Sequence, residues 1–148
     1  MPRVIAEMGL INSIEALIAD MQNLTKIEFD FLVNIESDVE EKMKISIYRI
    51  IQELINNAVK HSKASRVIIQ LLEYPDSISL MVEDDGVGFD KDKTVEEKNC
   101  FGLYSLESRV NSVGGILEID SKPGNGTNIF ISFPIHNLNP NEQMLETA

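Results

Sequence analysis

The stretch ELINNAVKH, residues 53–61, lies inside a helical pattern yet places Glu53, Asn56, Asn57, Lys60 and His61 at interior positions. At about 100° per residue, Met43, Ile47, Ile50, Ile51, Leu54, Ile55 and Ala58 form one apolar arc, and Glu53, Asn56, Asn57 and Lys60 gather on an adjoining polar one. A solvated face is the plain explanation, but such faces usually use Glu, Lys or Gln. Asn competes with the backbone for hydrogen bonds, so two in succession cost roughly 1 kcal/mol against Ala. A chemical explanation gives each type a task. Mg²⁺ takes hard oxygen ligands and keeps several waters, and the Asn57 carbonyl offers an oxygen without adding negative charge beside a triphosphate. Glu53, one turn earlier on the same side, can orient or polarise a metal-bound water. Lys60 and His61 can meet phosphate oxygens.

Three further stretches carry candidate chemistry. In EDDGVGFD, Asp84 ends an apolar run and Gly86 and Gly88 follow. A carboxylate there can accept from an exocyclic amine, and glycines let a backbone pass close to a flat ring; the same dipeptide is also an ordinary turn signal. In CFGLYSLESRV, a glycine at a helix start leaves backbone N–H groups free for an anion, which points to Gly102 and Leu103, with a simple cap as the alternative. In PGNGTNIFISFPI the GNGT is most simply a hairpin turn, and Thr127 can line a site beside it. Other motifs fail: there is no GxxxxGK[ST], no third glycine after GVG, no HExxH or CxxC pair, and no defensible nucleophile with its base. Cys100 reads as a loop or packing residue.

Positioning these residues requires a fold, and 148 residues with 43% hydrophobic and 25% charged side chains suffice for one compact domain. The net charge of −11 argues against a nucleic-acid backbone or an anionic membrane surface as partner, and requires a polyanionic ligand to bring a counter-ion. A single cysteine, no secretory signal and no apolar run near the roughly 20 residues of a membrane span point to a reducing, cytoplasmic compartment. Helical spacing runs from about Val4 to Gln22, and KIEFDFLVNI alternates as a strand. A helix of about six turns follows from Ser37, a candidate cap, with Asp38, Glu40 and Glu41 suiting its dipole. SRVIIQLLEY and SISLMVED read as a hairpin about Pro75-Asp76, DKDKTVEEK (90–98) as an exposed charged loop, and FGLYSLESRVNSVGG as a third helix. ILEIDSKPGNGTNIFISFPI is a second hairpin, and the tail from His136 has nothing to hold it. The expected architecture is α+β, one layer of mixed, mostly antiparallel sheet with helices on one face.

ELINNAVKH, DDGVGFD, FGLYSLESRV and GGILEIDSKPGNGTNIFISFP, in that order over residues 45–135, resemble the N, G1, G2 and G3 boxes of sensor histidine kinase ATP-binding domains, a superfamily that includes gyrase, Hsp90 and MutL. YRIIQELINNAVKHSKAS and the short FGL box resemble especially the nitrate-sensor and membrane-thermosensor kinases whose response regulators carry helix-turn-helix outputs. PRVIAEMGLINSIEALI resembles the segment that joins their dimerisation helices to the ATP domain. The resemblance implies a two-layer α/β sandwich of the Bergerat type and ATP with Mg²⁺ as ligands. It assigns Asn57 as Mg²⁺ ligand, Glu53 as the acidic residue assisting phosphoryl transfer, and Asp84 as the adenine reader. Gly86, Gly88 and Gly102 match nucleotide-loop glycines, Lys60 and His61 phosphate-contacting positions, and Thr127 the threonine of the last box. The organisation expected is a helical segment 1–24 leading from a dimerisation domain, an ATP-binding domain 25–136 and a flexible tail 137–148.

No phosphoacceptor motif is present, because His61 precedes Ser62 and His136 precedes Asn137 rather than an acidic residue. The expectation is therefore a monomeric fragment whose acceptor histidine lies on a dimerisation domain of the same parent, with a response regulator as the parent's partner and membrane anchoring of the parent compatible with it. The alternatives are a regulatory serine kinase of the anti-sigma type and a nucleotide-sensing module without catalysis.

Overall fold

A computed structural model of the chain describes residues 9–90 and 100–135, the side chains of 100–102 excepted. The expected charged loop beyond Asp90, the tail from His136 and the start of the first helix before Gly9 lie outside the described residues. The elements run α1 (Leu10–Leu24), β1 (Glu28–Asn34), α2 (Glu41–Asn57) continued by a π-helical turn (Ala58–Ser62), β2 (Arg66–Glu73), β3 (Ser77–Asp84), α3 (Cys100–Ser112), β4 (Ile116–Ser121) and β5 (Thr127–Pro134).

The strands form one sheet in the order β1-β2-β3-β5-β4. Only β1 and β2 pair in parallel, with α2 between them in sequence as their crossover. Both expected hairpins form: β2 and β3 join at the Tyr74 to Ser77 turn, where Tyr74 N–H donates to the Ser77 carbonyl at 2.7 Å, and β4 and β5 flank PGNG. Strand β5 also pairs with β3 along its whole length, so β3 and β4 run parallel with β5 inserted between them.

Register assigns the faces. Cross-strand partners place Phe29, Val67, Ile69, Leu71, Ile78, Leu80, Val82, Ile129, Ile131 and Phe133 on one side, all buried. The buried stripes Leu10, Ile14 and Ile18 of α1, Ile47, Ile50, Ile51, Leu54 and Ile55 of α2, and Leu106 and Val110 of α3 complete the same core. Helix α1 packs by β1, α3 by β4, and α2 against both other helices. The other side of the sheet is mainly polar, with the Asp30–Arg66 ion pair between β1 and β2 and only scattered apolar residues such as Leu32. Asp84 and Thr127, directly opposite each other, continue the helix-facing row to the sheet's end.

One expectation fails. Ser37 does not cap α2: the helix begins at Glu41 with Glu40 as a cap residue that makes no side-chain cap bond. Ser37 and Glu36 instead donate their backbone N–H groups to the carboxylate of Glu73, tying the chain after β1 to the end of β2. Residues 37–40 are a connector between that tie and the start of α2.

The face assignment is testable by urea unfolding. Leu80→Ala, at a fully buried position of the central strand, should lower stability by about 3 kcal/mol. Leu32→Ala, 55% exposed on the outer face, should change it by less than about 0.5 kcal/mol; equal losses would contradict the assignment.

Candidate functional site

The ends of α2, β3 and β5 meet at one edge of the molecule. Helix α2 loosens there: past Asn57 it winds as a π-helical turn and stops at Lys63, which adopts left-handed φ 55°. Such turns are uncommon and frequent at functional sites. Ser62 closes it, its hydroxyl donating to the Ala58 carbonyl and accepting from Ala64 N–H at 3.1 Å. Beyond Asn57 the turn is wider than a regular wheel at about 100° per residue, with Ala58 buried and Lys60 and His61 both exposed on it.

The Ser62 carbonyl accepts the Val87 N–H at 2.6 Å, which brings the segment after β3 against the end of α2. This approach requires glycine. A Cβ on Gly86 would lie 2.2 Å from the Ser62 oxygen, and one on Gly88, at φ +64°, would lie 2.2 Å from the Lys122 carbonyl. Gly126, at φ +71°, likewise sits with its missing Cβ 2.2 Å from the Asp84 carbonyl. At Gly86 and Gly88 the position a Cβ would take is thus filled by the protein's own backbone. Gly124 N–H donates to the Val87 carbonyl at 2.7 Å, so the PGNG turn is also a buttress for the loop.

This closure seats Asp84. Its Oδ1 accepts from Gly86 N–H at 2.9 Å, and Thr127 N–H also bonds the carboxylate. Burial nevertheless dominates and pushes the Asp84 carboxyl above the usual range, helped by Asp85 and Glu83, while those two N–H donors pull the other way. A half-buried carboxylate held by backbone at the edge of a core is an acceptor set for a ligand's N–H group. Thr127, half-buried beside it, bonds Ser121 at 2.9 Å.

Glu53 and Asn57 are half-buried one turn apart on α2. Arg109 of α3 reaches Glu53 with Nε 3.2 Å from Oε2, the side chains being 46% and 21% exposed. At that exposure the pair contributes at most about 1 kcal/mol; its consequence is positional, since it ties the helix carrying Gly102 and Leu103 to the polar face of α2. Gly102 is the third residue of α3, so its N–H belongs to the first turn, whose leading amides have no intrahelical acceptors, and Leu103 follows as the fourth. Among the described residues no cluster of three or more His, Cys, Asp or Glu could hold a metal alone. That donor set fits an ion that arrives with phosphate oxygens, for which one amide oxygen suffices.

The structure thus links ELINNAVKH, DDGVGFD, SLESRV and PGNGT by direct contacts. Sequence reasoning missed Arg109, whose partner is distant in the chain and gives no local signal. It also missed Ser121, which the PGNG turn places opposite Thr127 and which counting back across the hairpin could have found. Asp85 was overlooked beside Asp84. Its carboxylate accepts from Ser65 N–H at 2.8 Å, Arg66 N–H at 3.0 Å and the Ser65 hydroxyl, clamping the start of β2 to the end of β3. A different cleft, of about 320 Å³, lies at the opposite end of the sheet over Val39, Met43, Val113 and Ile135. Asp38, Glu40 and Lys42 also line it, a mixed set of charges.

Comparison with known proteins bears on the family and the fold. A family profile described as "Histidine kinase-, DNA gyrase B-, and HSP90-like ATPase" matches residues 43–137. The sensor histidine kinase ComP of Bacillus subtilis (strain 168) is 35% identical over 128 residues, 84% of this chain and 16% of that protein. The signal transduction histidine-protein kinase/phosphatase DegS of Brevibacillus brevis is 34% identical over 130 residues, 87% of this chain and 33% of the relative. The chain therefore spans a third or less of either. Among solved structures, the blue-light activated histidine kinase of Erythrobacter litoralis EL346 superposes with a TM-score of 0.66 at 22% identity, covering 82% of this chain and 40% of that one, a likeness of fold. Among the described residues no helix is long and apolar enough to cross a membrane.

Asp85 yields a pH signature. The Ser65 hydroxyl first, then the Arg66 and Ser65 N–H groups, hold its carboxyl below the usual range. A depressed acid stabilises the fold above its unfolded pKa of about 3.9 and loses that contribution as pH falls toward the folded value. Asp85→Ala should unfold at lower urea than the parent at pH 7, and the gap should narrow below about pH 4. A gap independent of pH would mean that the carboxylate clamp is not what the substitution removes.

Proposed function

The chain belongs to the histidine kinase-, DNA gyrase B- and HSP90-like ATPase family, and from that premise we propose that it is the catalytic domain of a two-component sensor histidine kinase, binding Mg-ATP and presenting the γ-phosphoryl group to a histidine on a dimerisation domain of the parent protein. The observation that carries this reading is the seat of Asp84, a half-buried carboxylate in a frame of backbone closures joining the end of α2, the segment after β3 and the PGNG turn. A fold built for stability alone would not keep an acid there.

In this reading Asp84 accepts from the adenine amine, Thr127 stands beside it, and the Asn57 amide oxygen is the protein ligand of Mg²⁺. Bound Mg²⁺ supplies charge neutralisation for the phosphates. Glu53 orients the acceptor side of the reaction, the start of α3 at Gly102 and Leu103 faces phosphate, Gly86 and Gly88 shape the nucleotide loop, and Lys60 and His61 meet phosphate oxygens at the rim. Catalysis of this kind proceeds mainly by positioning and electrostatics. Residues 1–24 lead from the dimerisation domain, 25–136 form the nucleotide-binding unit and 137–148 a tail. The response regulator and any membrane anchoring are properties of the parent.

Isothermal titration with Mg-ADP tests the proposal: saturable binding is expected, and a folded sample with no binding at millimolar ligand would refute it. Asn57→Ala should remove the Mg²⁺ dependence of the affinity. Asp84→Asn should weaken binding by about 1–3 kcal/mol. A raised carboxyl favours the fold below its unfolded pKa and opposes it as pH rises through the folded value, so the ligand-free Asp84→Asn protein should be no less stable than the parent at pH 7. A large loss of ligand-free stability would make Asp84 a structural residue instead.

A further inference from the structure

The Ser121 hydroxyl, in a residue only 9% exposed, makes three contacts: to the Gly126 carbonyl at 3.0 Å, from Phe89 N–H at 3.0 Å, and with the Thr127 hydroxyl at 2.9 Å. Two of these have a forced direction. A carbonyl can only accept, so Ser121 donates to Gly126; an amide N–H can only donate, so Ser121 accepts from Phe89. A serine hydroxyl has one proton and two lone pairs. The proton is committed to Gly126 and one lone pair to Phe89, which leaves a lone pair for Thr127. Across the remaining contact Thr127 is therefore the donor.

The consequence reaches the pocket. With its only proton turned toward Ser121, the Thr127 hydroxyl has lone pairs alone to offer elsewhere. Thr127 is the direct cross-strand partner of Asp84 on the helix-facing side of the sheet. Asp84, when ionised, is likewise an acceptor only. Two neighbouring groups that can accept and cannot donate match an exocyclic amine, which brings two N–H bonds, and oppose a carbonyl oxygen at the same position.

We propose that Ser121 is a specificity-determining residue acting through Thr127: by fixing the direction of the Thr127 hydroxyl it makes the base end of the pocket select a 6-amino purine over a 6-oxo purine. Ser121 touches no ligand in this account and is a positioning residue. The inference rests on the nucleotide reading above and adds to it the origin of base selectivity. It also gives the PGNG hairpin a second task, since the same turn that buttresses the loop after β3 brings Ser121 and Thr127 face to face.

Adenosine and inosine diphosphates differ at the purine six-position, amine against carbonyl with a protonated ring nitrogen, and titration of each with Mg²⁺ into this chain gives the selectivity as a ratio of Kd values. The parent protein should prefer Mg-ADP. In Ser121→Ala the Thr127 hydroxyl is free to rotate and donate to the carbonyl, so the ratio should fall about tenfold, chiefly through tighter inosine diphosphate binding. An equal change in both affinities would make Ser121 merely structural and overturn the proposal. Thr127→Val retains the Ser121 bonds to Gly126 and Phe89 and supplies a second test should Ser121→Ala fail to fold: it should also reduce the ratio, and Ser121→Ala added to it should reduce it no further. Selectivity retained in Thr127→Val would overturn the relay. Equal binding of both nucleotides by the parent would overturn it too, leaving the nucleotide reading intact, whereas binding of neither would remove both.

Discussion

At three places in this protein one backbone lies against another with no side chain between them: Gly86 on Ser62, Gly88 on Lys122 and Gly126 on Asp84. Everything proposed for the site depends on these closures. They bring the end of α2, the segment after β3 and the β4–β5 turn within hydrogen-bond distance of each other, and the bonds from Val87 to Ser62 and from Gly124 to Val87 lock the arrangement. A Cβ at any of the three positions would stand 2.2 Å from a carbonyl oxygen, so the two backbones would have to move apart. The glycines spend their conformational freedom on assembling the frame, and contact with a ligand is not needed to explain them.

Within that frame charge is the second constraint. A chain of net charge −11 has to receive a polyanion, and the arrangement separates the two ends of the task. Asp84 presents its acceptor at the edge of the core, where burial opposes ionisation and backbone N–H groups support it. On α2 the only acid on the polar arc, Glu53, is already matched by Arg109, and the exposed side chains of Lys60 and His61 follow on the π-helical turn. Neutral Asn57 between them adds an oxygen ligand without more negative charge.

The sequence was most legible where one local pattern decides the outcome. Alternation identified the strands, Pro75-Asp76 and PGNG the hairpins, and the apolar arc from Met43 to Ala58 the long helix. The second motif was legible because Asp84, Gly86 and Gly88 lie within five residues of each other. Illegible features were those settled by distant partners. Ser37 looked like a cap, yet its backbone N–H is tied to Glu73 and α2 starts four residues later; the widening of α2 past Asn57 gave no local signal either. The parallel pairing of β1 with β2, the insertion of β5 between β3 and β4, and the Glu53–Arg109 pair all join residues far apart in sequence, and no periodicity encodes them. Ser121 is intermediate: hairpin counting places it opposite Thr127, but its hydrogen-bond direction follows only from three simultaneous contacts.

The central claim is that one end of the sheet, and not the other, is built to hold Mg-ADP. Backbone amide NMR of the chain, titrated with Mg-ADP, tests it directly. Shifts are predicted at Asn57, Gly86, Gly88, Gly126 and Thr127, with the Tyr74 to Ser77 turn and the cleft at Val39 and Val113 unmoved. Shifts centred on that opposite cleft, or none on saturating ligand, would contradict the account.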